Sequence, residues 1–290
     1  TWDGRTVSVT SIGNYKYNSS AGQWQRDFIT DRQVVNINNI SELNNLDTWP
    51  GRAVIVVNDT YKYINGEWIP QNHIFNIRDF GAVANYDVLT KTILTDSSSA
   101  FNDAVIQAKK VSGIVYVPSC EDGKAYYIKG NWNLTTRGYT EGIRIRGDGK
   151  QSSILFAEPN DQTKPIFGGE TGAPGNPSNI SIGGVSIISH QKWKGIAIQT
   201  NGLCLTEFAD WYIKDFEVGL DIINDTTAPG GIFTEFVRFR DGHLRANKTQ
   251  IRFRRVNNGD PSFHGVNFDA VVMDGTDEAG MIGIDVGEGC

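Results

Sequence analysis

Few of the residues that build disulfide, redox or metal chemistry occur in this sequence: three cysteines, four histidines and two methionines in 290 residues. Cys120, Cys204 and Cys290 are odd in number and far apart, which excludes a disulfide framework and any paired-cysteine metal spacing. His73, His190, His243 and His264 are equally scattered, so no zinc site and no cofactor is indicated. No apolar run reaches the roughly eighteen residues that span a bilayer, which argues against membrane insertion. Basic stripes are missing too. With a net charge of -6 and a pI near 5.3, the chain has little with which to release counterions from phosphate, so a nucleic-acid partner is not expected. RFRRV at 252–256 is the one basic run, and its alternation with apolar residues reads as a strand carrying solvated arginines. There is no GxSxG elbow, no Walker loop and no HExxH.

What is abundant is glycine, at 32 residues, together with Asn, Ser and Thr, a composition that points to an all-β chain with many turns. Seven Asn-x-Ser/Thr sites, at Asn18, Asn39, Asn58, Asn133, Asn179, Asn224 and Asn247, are what such a composition produces by chance, and glycosylation is not inferred from them.

One stretch is more specific. From Phe75 the sequence reads FNIRDFGA, then TDSSSAFNDAVIQAKK, then SGIVYVP. Phe101, Ala104, Val105 and Ala108 recur at helical spacing, and Asp96 or one of Ser97 to Ser99 can cap the first turn, so one short helix is predicted there. IVYV before Pro118 is predicted as a strand. This order resembles the opening of the pectate-lyase-like right-handed parallel β-helix found in bacteriophage tailspikes, where a DFGA turn, a capping helix and a GxVYVP strand begin the solenoid. The family usually follows DFGA with a GDG turn and a TDDT run. Here residues 83–94 are loop filler and the run is TDSS.

Beyond residue 179, apolar-polar-apolar strands recur. GVSI ends at Ile187, DWYI at Ile213, FVRF at Phe239 and GVNF at Phe268, with separations of 26, 26 and 29 residues. A second series, ending at Ile198, Ile222, Phe253 and Val286, interleaves with the first, and a weaker third column comprises LCLTEF at 203–208 and GIFTEF at 231–236. Short rungs that cannot bury their apolar face alone make a solenoid. Ser186, Tyr212, Arg238 and Asn267 are expected to point outward.

The first seventy residues differ. TWDGRTVSV with YKYNSSAGQW is repeated as TWPGRAVIV with YKYINGEW at a period of 47 residues, and Ile40 to Leu46 between the copies is a helix candidate. Trp2, Trp24, Trp49 and Trp68 are expected to form the small cores of these modules. The expected organisation is a partial docking module at 1–28, a second at 29–72, the opening of the β-helix with its capping helix at 73–130, and rungs at 131–290. The repeat starts mid-motif at Thr1 and GIDVGEGC ends without a cap, so the chain is expected to be an internal piece of a longer protein.

The resemblance implies a homotrimeric spike on the phage tail, assembled in the host cytoplasm. It would be attached to other virion proteins through residues 1–70, and its β-helix would bind, and in relatives cleave, bacterial capsule or lipopolysaccharide. In such spikes paired Asp and Glu on the outer face or between chains do the chemistry. Two candidate stacks are Asp215 with Asp241 and Glu207 with Glu235, at rung spacing of about 4.8 Å. The alternative is that these acids are turn caps and rim residues balanced by Lys214, Arg238 or Arg240, so the segment by itself is expected to be inactive. Trp193, Trp211 and Tyr212, with Trp132, are candidate platforms for sugar rings. A structural adaptor and a secreted pectate-lyase-like enzyme are the competing readings.

Overall fold

The computed structural model describes residues 73–135, 142–168, 180–225, 234–276, 278–287 and 290, together with the backbone of seven strands in the first seventy residues. The chain divides into two compact units, Thr1–His73 and Ile74–Cys290.

In the first unit the sequence repeat is a structural repeat. Thr6–Val9, Gly13–Asn18 and Gln23–Arg26 form an antiparallel meander, and Ala53–Val56, Asp59–Ile64 and Glu67–Pro70 form another. Asn36–Ile37 adds to the second sheet in parallel with Ala53–Val56. The predicted helix from Ile40 to Leu46 lies outside the described residues.

The second unit is a right-handed parallel β-helix of about five turns. Three faces run along it. Face A stacks Ile74–Asn76, Ile114–Val117, Arg144–Gly147, the first halves of Ser181–Ser189 and Cys204–Lys214, then Glu235–Arg240 and Asn267–Asp269. Face B stacks Lys124–Lys129, Ile154–Glu158, the second halves of the same two long strands, His243–Arg245 and Val272–Asp274. Face C stacks Trp132–Asn133, Pro165–Gly168, Ile196–Asn201, Val218–Asp225, Thr249–Val256 and Ile282–Val286.

Left-handed residues turn the corners, and they stack from rung to rung. Gly184, Asp210, Asp241 and Ala270 (φ 66°, 56°, 53° and 52°) lie between faces A and B, and Asp215 and Ala246 (φ 66° and 56°) between B and C. Leu205, Phe236 and Gly265 (φ 50°, 53° and 66°) lie near the start of face A. Such a conformation is costly for a residue with a Cβ, and here it recurs where successive backbones bond to one another, as in Asp241 N–H to Asp269 O at 3.0 Å and Ala246 N–H to Asp274 O at 3.0 Å.

The core is built of ladders. On face A Phe208, Phe239 and Phe268 stack with centroids 4.9 and 5.1 Å apart and rings within 12° of parallel. On face B Leu155, Ile187, Ile213 and Leu244 are successive buried partners, and on face C Ile198, Leu220 and Ile251; Met273 and Ile284 continue these ladders as exposed residues. The predicted first column therefore mixes two faces: Ile187 and Ile213 belong to B, Phe239 and Phe268 to A. In the second series Ile222, Phe253 and Val286 are in register, while Ile198 pairs with Leu220, two residues away from Ile222 but on the same face.

Helix α1 (Ser98–Lys110) covers the first rung, with Phe101, Ala104, Val105 and Ala108 all buried. Phe101 meets Trp132 at 4.8 Å and Phe167 at 5.7 Å. Asp96 Oδ1 accepts the Ser98 N–H at 2.9 Å, satisfying one of the free donors of the first turn. The DFGA segment is a short 3-10 turn, Ile77–Phe80, ended by Gly81 at φ 98°. Residues 83–94 are more than filler: Tyr86 and Asp87 pair antiparallel with Ala125 and Lys124, and Tyr86 is fully buried against Phe156 at 4.4 Å.

Candidate functional site

The outer surfaces of faces A and B hold most of the candidate residues, and the stacking register rearranges them. Glu207 does not stack on Glu235, because the two TEF motifs are offset by three residues: Glu207 lies opposite Arg238, and Glu235 opposite Cys204. Glu207 accepts from Arg240 at 3.1 Å and faces Arg238 at 4.0 Å, while Glu235 lies 3.5 Å from His264. Asp215 and Asp241 do not stack either. Asp215 follows Lys214, the partner of Arg245, and turns the corner between faces B and C beside Lys214 at 3.6 Å. Asp241 follows Arg240, the partner of Ala209, so its rung neighbour is Asp210. That carboxylate pair was not foreseen. Like charges one rung apart repel, and Lys150 meets both residues, its Nζ 3.5 Å from Asp210 Oδ1 and 2.6 Å from the Asp241 carbonyl. Arg240 closes on Asp241 at 2.8 Å.

The aromatic candidates part company. Trp211 has no exposed surface: it packs edge-on against Phe239, donates its indole N–H to Phe208 O at 3.3 Å, and lies so close to Gly242 that a Cβ there would come within 2.0 Å of the ring. The alternation that turns Tyr212 outward turns Trp211 inward. Trp132 is likewise core, at 6% exposure. Trp193 is half-buried at the corner of faces B and C, where its backbone N–H donates to Asp215 O at 2.6 Å and its indole N–H to Ala246 O at 2.9 Å. Lys192 lies over its ring at 5.1 Å. Tyr212 is half-buried on the outside of face B, edge-on to His243 with centroids 5.1 Å apart, and burial holds its phenol above the usual tyrosine range.

An open groove of about 440 Å³ runs along the outside of face A, lined by Leu205, Thr206, Glu207, Phe236, Arg238, Gly265 and Asn267. Leu205 and Phe236, 74% and 60% exposed, are thrown outward by their left-handed corners. Gly265 leaves room for the Phe236 ring, since a Cβ there would meet its Cδ1 at 3.0 Å. Arg146 lies across Gly183, where a Cβ would come within 2.3 Å of its Nη1, and burial followed by the charge of Arg144 pushes that guanidinium below its usual range. A flat apolar ring beside a carboxylate, a guanidinium and an amide suits a polyhydroxylated ring with one apolar face. Sequence reasoning missed Phe236 because period-two alternation fails at a left-handed corner.

Among the described residues no cluster of His, Cys, Asp and Glu could hold a metal ion, and no helix is long and apolar enough to cross a membrane. No family model matches the chain. Over 206 residues it is 35% identical to a capsule K3-specific depolymerase 1 of Klebsiella phage KP32, covering 69% of this chain and 23% of that protein. The chain is a tailspike-type parallel β-helix. It spans under a quarter of the length of that curated relative. Among solved structures, this tailspike segment is similar to the glycan biofilm-modifying enzyme WceF of Pantoea stewartii (10% identity, 95% of this chain and 52% of that one, TM-score 0.40). It is also similar to the tailspike of Acinetobacter phage vB_ApiP_P1 (12% identity, 87% and 70%, TM-score 0.31).

Proposed function

We propose that this tailspike segment recognises bacterial capsular polysaccharide along the outside of its solenoid. In this reading residues 1–70 attach the spike to other proteins of the phage tail, and the spike trimerises during assembly in the host cytoplasm. The observation that supports it best is the face A groove, in which Phe236 stands exposed beside Glu207, Arg238 and Asn267, in a chain whose curated relative is a capsule depolymerase. Phe236 supplies the ring face, Arg238 and Asn267 supply donors, and Glu207 accepts from sugar hydroxyls. Replacing Phe236 by Ser removes an exposed ring that packs on nothing deep. It should weaken capsule binding by about 0.5–1.5 kcal/mol, roughly twofold to twelvefold, and leave the melting temperature unchanged. Unaltered binding in a co-sedimentation assay with purified capsule would remove the groove from the recognition surface. Closed threefold symmetry suits a spike, and light scattering that finds a stable monomer would remove the trimer.

A second reading, an adaptor without chemistry, draws on one observation. Each of Glu207, Glu235, Asp215 and Asp241 is held by a Lys, Arg or His neighbour. These four acids are better suited to shaping a binding surface than to cleaving a glycosidic bond.

A further inference from the structure

On the outside of face A one column of residues runs in register through Tyr116, Arg146, Gly183, Ala209 and Arg240. Two residues earlier on the last four of these strands, Arg144, Ser181, Glu207 and Arg238 run alongside. Gly183 and Ala209 are small, so a trough separates the Arg146 and Arg240 backbones. Arg146 lies across its floor: a Cβ on Gly183 would come within 2.3 Å of its Nη1 and 2.6 Å of the Ala209 carbonyl. The other charged groups here are already engaged. Arg240 meets Glu207 at 3.1 Å and Asp241 at 2.8 Å, and Arg238 faces Glu207 at 4.0 Å. Asp148 accepts from the Tyr116 hydroxyl at 2.5 Å and from the Ser119 N–H at 2.7 Å. Arg144 and Arg146 differ from all of these. Neither guanidinium makes a hydrogen bond or an ion pair to any described residue, although Arg146 is half-buried. Burial, then the charge of Arg144, work against its cation, and Glu207 alone favours it. A cation drawn partly out of water without an acceptor costs stability, which a bound anion would offset.

We propose that Arg146, with Arg144 beside it, is an oxyanion site that reads a monoanionic group of the capsule chain, a sugar carboxylate or a phosphodiester. The proposal rests on the polysaccharide-recognition reading above and adds the charge class of the glycan and the place where that charge is held. A guanidinium presents paired N–H donors in one plane, which matches either oxyanion bidentately. Charge fixes the orientation. Arg238 and Arg240 are balanced by Glu207 and Asp241, so the uncompensated positive charge of this face lies at Arg144 and Arg146. Glu207 repels a second anion and accepts from hydroxyls instead, which places the acidic residue on the arginines and a neutral one in the groove. Phe236 stands on the second rung beyond Gly183, about 10 Å along the axis. An extended glycan of a few residues can therefore engage both.

The test uses the intact spike that carries this segment and capsule purified from its host, both native and with its carboxyl groups reduced to alcohols. Arg146→Gln should weaken binding of native capsule by on the order of tenfold or more. Arg144→Gln should weaken it less, because that residue is exposed. Arg146→Lys should fall between Arg146→Gln and wild type, since an ammonium keeps the charge and loses the fork. The melting temperature of Arg146→Gln should equal or exceed that of wild type, because the fold itself gives this cation no partner. If the group is a carboxylate, reduced capsule should bind wild type as weakly as native capsule binds Arg146→Gln. If it is a phosphodiester, reduction should change nothing while Arg146→Gln still loses binding. Native capsule held equally by Arg146→Gln and wild type, with Phe236→Ser weakened, would overturn the oxyanion site and leave recognition standing. A lowered melting temperature in Arg146→Gln would also overturn it, assigning Arg146 to the fold. Capsule that wild type does not bind at all would overturn both.

Discussion

Asp221 is a carboxylate with no exposed surface, on a strand whose neighbours Leu220 and Ile222 fill the core. Its side chain points to the outside of face C and is sealed there by side chains from the rungs on either side. Arg252 Nε donates at 2.8 Å, Arg254 Nη2 at 2.7 Å, and Gln199 Nε2 at 2.7 Å. The arginines read from sequence as solvated are thus half-buried clamps, their stems covering apolar surface while their heads meet one anion. Burial pushes the Asp221 carboxyl up, but the hydrogen bonds from Arg254 and Arg252 outweigh it and hold the group below the usual carboxylate range. A depressed folded-state pKa stabilises the fold above the unfolded value of about 4, and that stabilisation drains away as pH falls below it. Asp221→Asn leaves two guanidiniums without their anion and should cost about 3–5 kcal/mol at neutral pH. Melting curves of variant and wild type should converge as the solution is acidified through the carboxylate range. A gap that stays constant with pH would show that shape rather than charge is what Asp221 contributes.

Helix α1 shows which elements are legible in a sequence and which are not. Its spacing of Phe101, Ala104, Val105 and Ala108 is local, set by 3.6 residues per turn, and the structure buries all four. IVYV is local in the same sense. Rung register is not local. Each corner admits an arbitrary loop and a left-handed residue, and that residue resets the alternation, so Phe239 aligns with Phe208 rather than with Ile213. The candidate acids inherited that error. The likeness of the TEF motifs pairs Glu207 with Glu235, and equal distance from the first-column strand ends pairs Asp215 with Asp241, while the backbone sets Glu207 opposite Arg238 and brings Asp241 beside Asp210. Tyr212 was placed correctly outside because it lies one residue from a core position within a single strand. The helix itself is a cap: it shields the first rungs, whose inner face has no earlier rung to pack on. Val105→Asp would put an unpaired charge against Phe101 and the first strands, at a cost of several kcal/mol. The expected outcome is a lower melting temperature with hydrogen exchange rising first in Ile74–Asn76 and Ile114–Val117, strands packed against the helix. A variant that melts like wild type would show that Val105 does not close the core.

The two compact units follow different construction rules, and that difference makes their roles separable by experiment. Residues 1–73 hold two copies of a three-stranded meander, each too small to bury much apolar surface. Residues 74–290 form a continuous ladder in which each rung is held by the next, and α1 closes the first rung within the same unit. The solenoid should therefore not need the meanders in order to fold. Deleting residues 1–70 from the spike should leave its melting temperature and its capsule binding unchanged, because the face A groove lies wholly within residues 205–267. The same deletion should abolish incorporation of the spike into particles, measured by mass spectrometry of purified virions. Retained incorporation combined with lost capsule binding would reverse the assignment, making the meanders the receptor-binding part and the solenoid the anchor.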